Sequence, residues 1–274
     1  MSGAPIVGTP EAARFGQRRF VGRRRCLLGL MGFVYAGCAT TPVAPPALAV
    51  TRPADVRWRG DAETGDLGQW SYQLNPRGLS VVTVPVAEGA RSVRVEIRPT
   101  DLWPNGLNRV ELEHKPPPET VAEGGEIYFA WSLLVPAELS TSRHQIGYWE
   151  SYPSYRQIMA LEARGRALAF VTRLPEEQVH WTASDALTPN VWHRVVMHIR
   201  WSADPAKGVV DVCFDGVPVV LHASARTLWD NPNFVHVGVL RDKPEPTEVM
   251  FIDGAIEGTS LHAVLGASPA VPTR

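Results

Sequence analysis

The stretch VVDVCFDGVPVV, residues 209–220, decides the fold class. Two valine-rich runs flank the pair Asp215-Gly216. An Asp-Gly pair between two β-forming runs is a strong signal for a tight β-hairpin, because both turn residues must adopt positive φ. This segment therefore predicts two adjacent antiparallel strands.

Comparable short runs rich in Val, Ile, Phe and Trp recur between turns from about residue 55 to residue 262. Many of them alternate with period two. In RSVRVEIR, for example, Val93, Val95 and Ile97 point to one face and the charged residues to the other. No helix-period segment longer than two turns interrupts the series. The sequence therefore predicts an all-β sandwich of two antiparallel sheets.

The N-terminal segment 1–37 has the pattern of an export signal. A basic stretch, RRFVGRRRC, precedes the apolar run CLLGLMGFVYAG at 26–37, which is too short to span a bilayer. The sequence YAGC at 35–38 resembles a lipobox, so we expect Cys38 to be lipidated. Ordinary cleavage nearby is the alternative, and both the general and the twin-arginine export routes stay open.

The rest of the chain divides by composition into three parts. Residues 38–54 are rich in Pro and Ala and predict a semi-extended linker. Residues 55–264 form the predicted β domain, and residues 265–274 a flexible tail. We expect an exported protein, lipid-anchored in a bacterial cell envelope.

Charge argues against one class of partner. The whole chain has a net charge of −1, but residues 1–37 hold six Arg and one Glu. Their removal leaves 21 basic and 27 acidic residues, a net charge of −6. So acidic a protein is a poor candidate for general nucleic-acid binding. We expect no nucleic-acid partner, and a monomer.

Five stretches in order resemble one known family, and they cover nearly all of residues 56–258. The stretches are WRGDAETGDLGQW (58–70), NRVELEH (108–114), YFAWSLLVP (128–136), WHRVVMHIRWSADPAKGVVDVCFDG (192–216) and NFVHVGVLRD (233–242). Together they resemble bacterial polysaccharide lyases of the heparin lyase I and glucuronan lyase type. The resemblance implies a concanavalin-like β-jelly roll. It also implies β-elimination of an anionic polysaccharide that contains uronic acid.

Such a reaction makes three physical demands. The uronate carboxylate must be neutralised, a base must take the C5 proton, and an acid must protonate the leaving O4. The RVEL motif matches the family's Arg-x-Glu-Leu, which implies that Arg109 is catalytic and that Glu111 binds substrate. Both residues alternate with apolar neighbours, which suits a polar cleft. A salt-bridged solvent face is the alternative.

The sequence departs from the family at two proton-handling positions. Where the family has Gln-Trp-His, this chain has Tyr148-Trp149-Glu150, so a carboxyl group replaces the imidazole. Where the family has Lys-x-Gly-x-Tyr-Arg, this chain has His236, a retained glycine, Leu240 and Arg241.

Substitute groups are available for the missing chemistry. Tyr148, Glu150 and His236 are the candidate catalytic residues beside the arginine. For Glu150 the open alternative is an ion pair with an arginine that carries no chemistry. The candidate substrate-binding residues are Glu111, Gln145, Trp149, Arg156 and Arg241.

A structural calcium ion is a further expectation, although no cofactor is required. Asp61, Glu63 and Asp253 are hard oxygen ligands on segments that a jelly roll brings together, since its first and last strands are often neighbours. Ordinary turn chemistry is the alternative.

Two functions remain open on the sequence alone. One is a lyase with a rearranged set of proton-transfer groups. The other is a non-catalytic, carbohydrate-binding jelly-roll lipoprotein. A glycoside hydrolase is a third, more distant reading that would need facing carboxylates such as Glu111 and Glu150.

Overall fold

The computed structural model describes residues 55–265 and shows fifteen β-strands with little helix. The predicted export signal, Cys38, the linker and nearly all of the tail lie outside the described residues. The strands are β1 Val56–Arg59, β2 Tyr72–Leu74, β3 Leu79–Val82, β4 Ser92–Ile97, β5 Asn108–His114, β6 Glu126–Leu134, β7 His144–Ser151, β8 Arg156–Arg164, β9 Ala167–Thr172, β10 Gln178–Ala183, β11 His193–Arg200, β12 Val209–Phe214, β13 Val217–Ser224, β14 Asn233–Arg241 and β15 Glu248–Gly258.

The strands form two antiparallel sheets. One has eight strands in the order β13-β12-β11-β6-β15-β4-β3, with β1 also paired to β15. The other has seven strands in the order β10-β9-β8-β7-β14-β5-β2. Several neighbours, such as β5 and β14 or β6 and β15, come from distant parts of the chain, as expected for a jelly roll. The predicted all-β sandwich is confirmed.

The core lies between the sheets and is built by the alternation seen in the sequence. Val93, Val95 and Ile97 of β4 are buried in it, as are Val110 and Leu112 of β5. Because side chains alternate across a strand, the residues between them are turned to the outer faces. On β5 of the seven-stranded sheet, this places the charged side chains on one outer face.

The hairpin predicted at residues 209–220 is present. β12 and β13 pair directly, and Asp215 and Gly216 between them have φ values of 50° and 78°. Both angles lie in the left-handed region that a two-residue hairpin turn requires. β13 is the edge of its sheet, where Pro218 is tolerated because its missing N–H breaks no interior ladder.

The two ends of the described chain meet on the eight-stranded sheet. β1 pairs with the end of β15, and the short helix α1, Leu261–Leu265, follows directly. Val264 of that helix packs with Ala130, Val196 and Ile256 on the sheet. Within residues 55–265 no helix is long and apolar enough to cross a membrane.

Candidate active site in the groove of the seven-stranded sheet

A groove of about 620 Å³ runs over the outer face of the seven-stranded sheet. Its floor comes from β7, β14 and β5, which are adjacent strands of the sheet. One wall is the loop between β4 and β5, and the other is the turn between β7 and β8. The lining residues are Tyr72, Leu74, Trp103, Asn105, Leu107, Arg109, Glu113, Lys115, Glu150, Tyr155, Gln157 and His236.

Strand register places a row of polar side chains across the floor. Tyr72 of β2 lies opposite Glu113 of β5, which lies opposite His236 of β14, which lies opposite Tyr148 of β7. Directly paired residues of antiparallel strands are about 5 Å apart and project to the same face. Residues that are far apart in the chain are therefore neighbours in the groove.

Arg109 is fixed on this floor by two side chains. Its Nε donates to Glu111 Oε2, and its Nη2 donates to the Tyr148 hydroxyl at 2.5 Å. Burial acts to lower the pKa of Arg109, but Glu111 and Tyr148 outweigh it, so the pKa is raised and the guanidinium stays charged. Among residues 55–265, Nη1 has no hydrogen-bond partner, and the residue lines the groove.

His236 stands between two carboxyl groups. Its Nε2 is 3.6 Å from Oε2 of Glu113 and 3.6 Å from Oε2 of Glu150. The imidazole is only 2% exposed, and burial lowers its pKa to about 4, against the opposing effect of Glu111. The ring is therefore neutral at neutral pH and stacks on Tyr148 with centroids 4.9 Å apart.

Glu150 has a carboxyl group that titrates near neutrality. Burial raises its pKa to about 7, while Arg109 and a hydrogen bond from Gln157 act in the opposite direction. A carboxyl group of this kind is about half protonated at pH 7, so it can both accept and donate a proton. It lines the groove beside His236.

The structure brings together the four predicted catalytic residues, Arg109, Tyr148, Glu150 and His236, on one face of one sheet. Tyr148 is 1% exposed and differs from the other three because it does not line the groove. Burial raises its pKa well above the usual value, which makes its phenol hard to ionise. The phenol is placed to hold Arg109.

The predicted role of Trp149 in substrate binding is wrong. Its side chain points into the core between the sheets, is fully buried, and packs edge-on against Trp201 and Phe129. Its neighbours Tyr148 and Glu150 project to the other side, as strand alternation requires. The aromatic rings that do line the groove are Tyr72, Trp103 and Tyr155.

Arg241 was also predicted to bind substrate, and its contacts give it a different role. Its guanidinium is fully buried and donates to Asn108, to Glu248 at 2.9 Å and to the carbonyl of Pro246 at 2.8 Å. These bonds occupy the guanidinium and tie β14 to β5 and β15. No donor is left to face a ligand in the groove.

The other three predicted substrate-binding residues lie around the groove without lining it. Glu111 is fully buried and serves as the partner of Arg109. Gln145 is buried opposite Leu240 on β14. Arg156 lays its guanidinium over the Trp229 ring, 4.2 Å from the centroid.

The carboxylates predicted to bind calcium hold loops in the structure. Asp253 accepts hydrogen bonds from the backbone N–H groups of Ala87, Glu88 and Gly254, and Glu63 accepts from Ala90 and Arg91. Asp61 accepts from the N–H of Glu63. Within the described residues, no group of three or more His, Cys, Asp or Glu could hold a metal ion. These three carboxylates thus act in turns in the structure, and the calcium site stays a prediction.

Several groove residues were absent from the predicted site. Glu113 and Lys115 continue the alternation of Arg109 and Glu111 along β5, so period-two spacing was enough to find them. Trp103 and Asn105 sit in an irregular loop between β4 and β5, where no periodicity marks which side chains turn toward the sheet.

The fold and the groove together define a class of protein. A two-sheet sandwich with buried acid–base groups and exposed aromatic rings along one open groove is suited to bind and process a sugar chain. A family model described as polysaccharide lyase matches residues 62–255. The chain therefore belongs to this polysaccharide lyase family.

Solved structures with the same fold support the assignment of the architecture. An endo-β-1,4-glucuronan lyase from the fungus Trichoderma reesei is 17% identical, with a TM-score of 0.61 over 76% of this chain and 98% of that one. An alginate lyase, vAL-1, from a Chlorella virus is 13% identical, with a TM-score of 0.53 over 75% and 100%. The catalytic domain of a glycoside hydrolase family 131 protein from Coprinopsis cinerea is 18% identical, with a TM-score of 0.55 over 76% and 95%. No curated protein matches the sequence.

Proposed function

We propose that the protein cleaves a uronic-acid-containing polysaccharide by β-elimination in this groove. One observation carries the proposal: a fixed guanidinium and a carboxyl group of raised pKa open onto the same floor. The uronate carboxylate would pair with Nη1 of Arg109. This pairing lowers the energy of the enolate-like transition state, in which negative charge spreads onto that carboxylate.

Glu150 is the proposed base. In its ionised form it takes the C5 proton, the electrons of that C–H bond form the C4=C5 double bond, and the C4–O4 bond breaks. The leaving O4 needs one proton, which the newly protonated Glu150 can return when both bonds lie on its side of the sugar. A base whose pKa lies near the working pH is effective in both directions.

His236 and Tyr148 are positioning residues in this proposal. The neutral His236 ring lies between Glu113 and Glu150 and separates their charges. Tyr148 holds Arg109 at one end and stacks on His236 at the other. Proton transfer is thus assigned to the carboxyl group of Glu150, in place of the imidazole and phenol that the resemblance implies.

A second candidate, glycoside hydrolysis, is favoured by the pair Glu113 and Glu150. Both Oε2 atoms lie 3.6 Å from one imidazole nitrogen, so they are at most about 7 Å apart. Hydrolases use two carboxyl groups about 5–10 Å apart, one protonated and one ionised. Here Glu150, with its pKa near 7, would be the acid. Glu113 would be the second carboxyl group, a role for which the sequence had suggested Glu111.

One experiment separates these functions. The full-length protein is incubated with glucuronan, alginate, heparin or hyaluronan, and two signals are followed together: ultraviolet absorbance of unsaturated uronate, and new reducing ends. A lyase produces both signals, whereas a hydrolase produces reducing ends without absorbance. Binding to any of these polymers with neither signal would show a carbohydrate-binding protein and refute both catalytic proposals.

The pH dependence gives an independent test with opposite signs. If Glu150 is the base of a lyase, kcat/KM rises with pH through a midpoint near 7. If it is the acid of a hydrolase, kcat/KM falls through the same midpoint. Glu150→Gln removes activity in both cases. Glu162→Gln is the matched control, since Glu162 is equally buried on the same sheet but does not line the groove.

We also propose export and lipid attachment at Cys38, supported by the sequence pattern of residues 1–38 alone. In a bacterial host fed a radiolabelled fatty acid, the full chain should take up label and Cys38→Ser should not. Equal labelling of the two proteins would refute the anchor.

A further inference from the structure

The groove is lined by equal numbers of positively charged and acidic side chains, so it is not a basic groove. Two cations line it, Arg109 and Lys115, and so do two carboxyl groups, Glu113 and Glu150. Each cation already has an anionic partner: Arg109 pairs with the buried Glu111, and Lys115 Nζ is 2.9 Å from Glu113 Oε1. Above pH 7 the five groups together carry more negative than positive charge.

Two further arginines add no positive charge to the groove lining. Arg156 and Arg226 each stack on the Trp229 ring, 4.2 Å from its centroid, and neither lines the groove. A chain with a carboxylate on every sugar would therefore bring most of its charges against carboxylates or against uncharged side chains. Its repulsion would be strongest beside His236, where Glu113 and Glu150 both lie.

Uncharged side chains also line the groove, and three of them are aromatic. Tyr72 is 52% exposed and meets Trp103 edge-on at one wall, and Tyr155 is 61% exposed at the other. Aromatic faces of this kind stack on the C–H faces of sugar rings. Asn105 and Gln157 beside them offer neutral amide groups that suit hydroxyls.

We infer that the substrate carries isolated uronates, each flanked by neutral sugars, rather than an unbroken run of uronates. One central position takes the carboxylate on Arg109, and the aromatic walls take uncharged sugars on both sides. This inference rests on the proposed lyase function for the chemistry at the centre. For substrate binding alone, the inference rests on the aromatic walls and the charge balance and does not depend on the lyase chemistry.

The test compares two oligosaccharides of equal length on the full-length wild-type protein. One contains glucuronate at every position, and the other contains a single glucuronate between neutral hexoses. We expect kcat/KM for the second to be at least tenfold higher at 20 mM NaCl. Raising NaCl to 300 mM should increase kcat/KM for the first, because salt screens repulsion, and should change the second little.

Substitutions in the walls test the flanking positions. Tyr72→Ala and Tyr155→Ala should each raise KM for the single-glucuronate substrate by about three- to tenfold, the value of a stacking contact. Tyr152→Ala is the matched control. It is another exposed tyrosine, in contact with Tyr155 but outside the groove lining.

The outcomes separate this inference from the proposed function. A higher kcat/KM for the all-glucuronate chain, or a kcat/KM for it that falls with salt, overturns the inference and leaves the lyase intact. If neither oligosaccharide yields unsaturated product, the lyase proposal fails, and titration calorimetry with the same two ligands decides the inference. Tighter binding of the single-glucuronate ligand then supports it, and tighter binding of the other, or no binding, overturns it.

Discussion

Two clusters in this protein contain arginine, histidine and glutamate, but the pKa of the glutamate is lowered in one cluster and raised in the other. The Arg241 cluster consists of Arg241, Glu248, His144 and Asn108. The groove cluster consists of Arg109, Glu150, His236 and Glu113. Each contains an arginine, a histidine and glutamate, all largely buried.

The clusters differ in how completely their polar atoms are partnered. Burial acts to raise the pKa of Glu248, but hydrogen bonds from His144, the Ser140 N–H and Arg241 outweigh it, and the pKa falls to about 2. The closest of these bonds are 2.6 and 2.7 Å. The Arg241 cluster is therefore a permanently ionised clamp.

In the groove cluster the contacts are longer and some atoms have no partner. His236 Nε2 is 3.6 Å from each neighbouring carboxyl group, and its Nδ1 is buried without a hydrogen bond. Glu150 titrates near pH 7 rather than near 2. Incomplete partnering next to open volume is what makes the groove cluster the candidate functional site, since residue types alone do not distinguish the two clusters.

The largest effect is expected from breaking the clamp. Arg241→Met leaves the Glu248 carboxylate and Asn108 without their buried partner, which should cost about 3–5 kcal/mol of unfolding free energy. Urea denaturation measures this loss. Arg94→Met is the control, because Arg94 forms a partly exposed pair with Glu96 and should cost about 1 kcal/mol or less. Equal losses in the two variants would show that the Arg241 cluster stabilises the fold no more than a surface ion pair does.

Arg109 should show the reverse pattern, with little effect on stability and a large effect on rate. Arg109→Lys keeps a charge beside Glu111 but loses the planar fork that can hold Tyr148 and a uronate together. We expect kcat/KM to fall about 100- to 1000-fold, the usual effect of removing one donor from a transition-state anion. The unfolding free energy should stay within about 1 kcal/mol, and Arg94→Lys should change neither quantity. A loss below about tenfold would rule out the assigned role.

How much of this could be read from the sequence depends on how local the signal is. Period-two alternation predicted that Arg109 and Glu111 share an outer face while Val110 and Leu112 are buried, and it predicted the shared face of Tyr148 and Glu150. These predictions needed no knowledge of strand order. The hairpin at Asp215-Gly216 was equally local.

Two of the errors have a non-local origin, whereas the error at Trp149 was local. Arg241 follows the family motif, yet its fate was set by Asn108, Glu245, Pro246 and Glu248, which the fold brings to it from outside β14. Trp149 was assigned by residue type although its position between two groove residues required it to point inward. Two of the backbone N–H groups that donate to Asp253 belong to residues 87 and 88, more than 160 positions away. No pattern in one segment reveals such partners.

The titration of the groove cluster should be visible in folding stability. Glu150 has a raised pKa, so the native state binds more protons than the unfolded state between about pH 4.5 and 7, and stability falls with pH there. His236 has a lowered pKa, so stability rises with pH between about 4 and 6.5. The two slopes oppose each other in the wild type.

Single substitutions should unmask each slope. Glu150→Gln removes the decrease of stability with pH that Glu150 causes. Between pH 4 and pH 8 the unfolding free energy of the variant should therefore rise by up to about 3 kcal/mol relative to that of the wild type. In His236→Gln only the decrease of stability with pH remains. The curve of His222→Asn, a change at an exposed histidine on the other sheet, should run parallel to that of the wild type. Chemical denaturation at a series of pH values measures all four curves. Parallel curves for Glu150→Gln and the wild type would show that folding does not raise the pKa of Glu150.

The smallest effect is expected at Tyr148, and it separates positioning from proton transfer. Tyr148→Phe removes the hydroxyl that accepts from Arg109 Nη2 at 2.5 Å but keeps the ring stacked on His236. Losing one such hydrogen bond corresponds to about 1 kcal/mol, or roughly a fivefold fall in kcat/KM. Because the guanidinium is only less firmly held, KM should rise more than kcat falls, and the pH midpoint near 7 should not move. A phenol that transferred the proton itself would instead cost at least about 100-fold in kcat and shift the pH profile, and that result would return Tyr148 to the catalytic set.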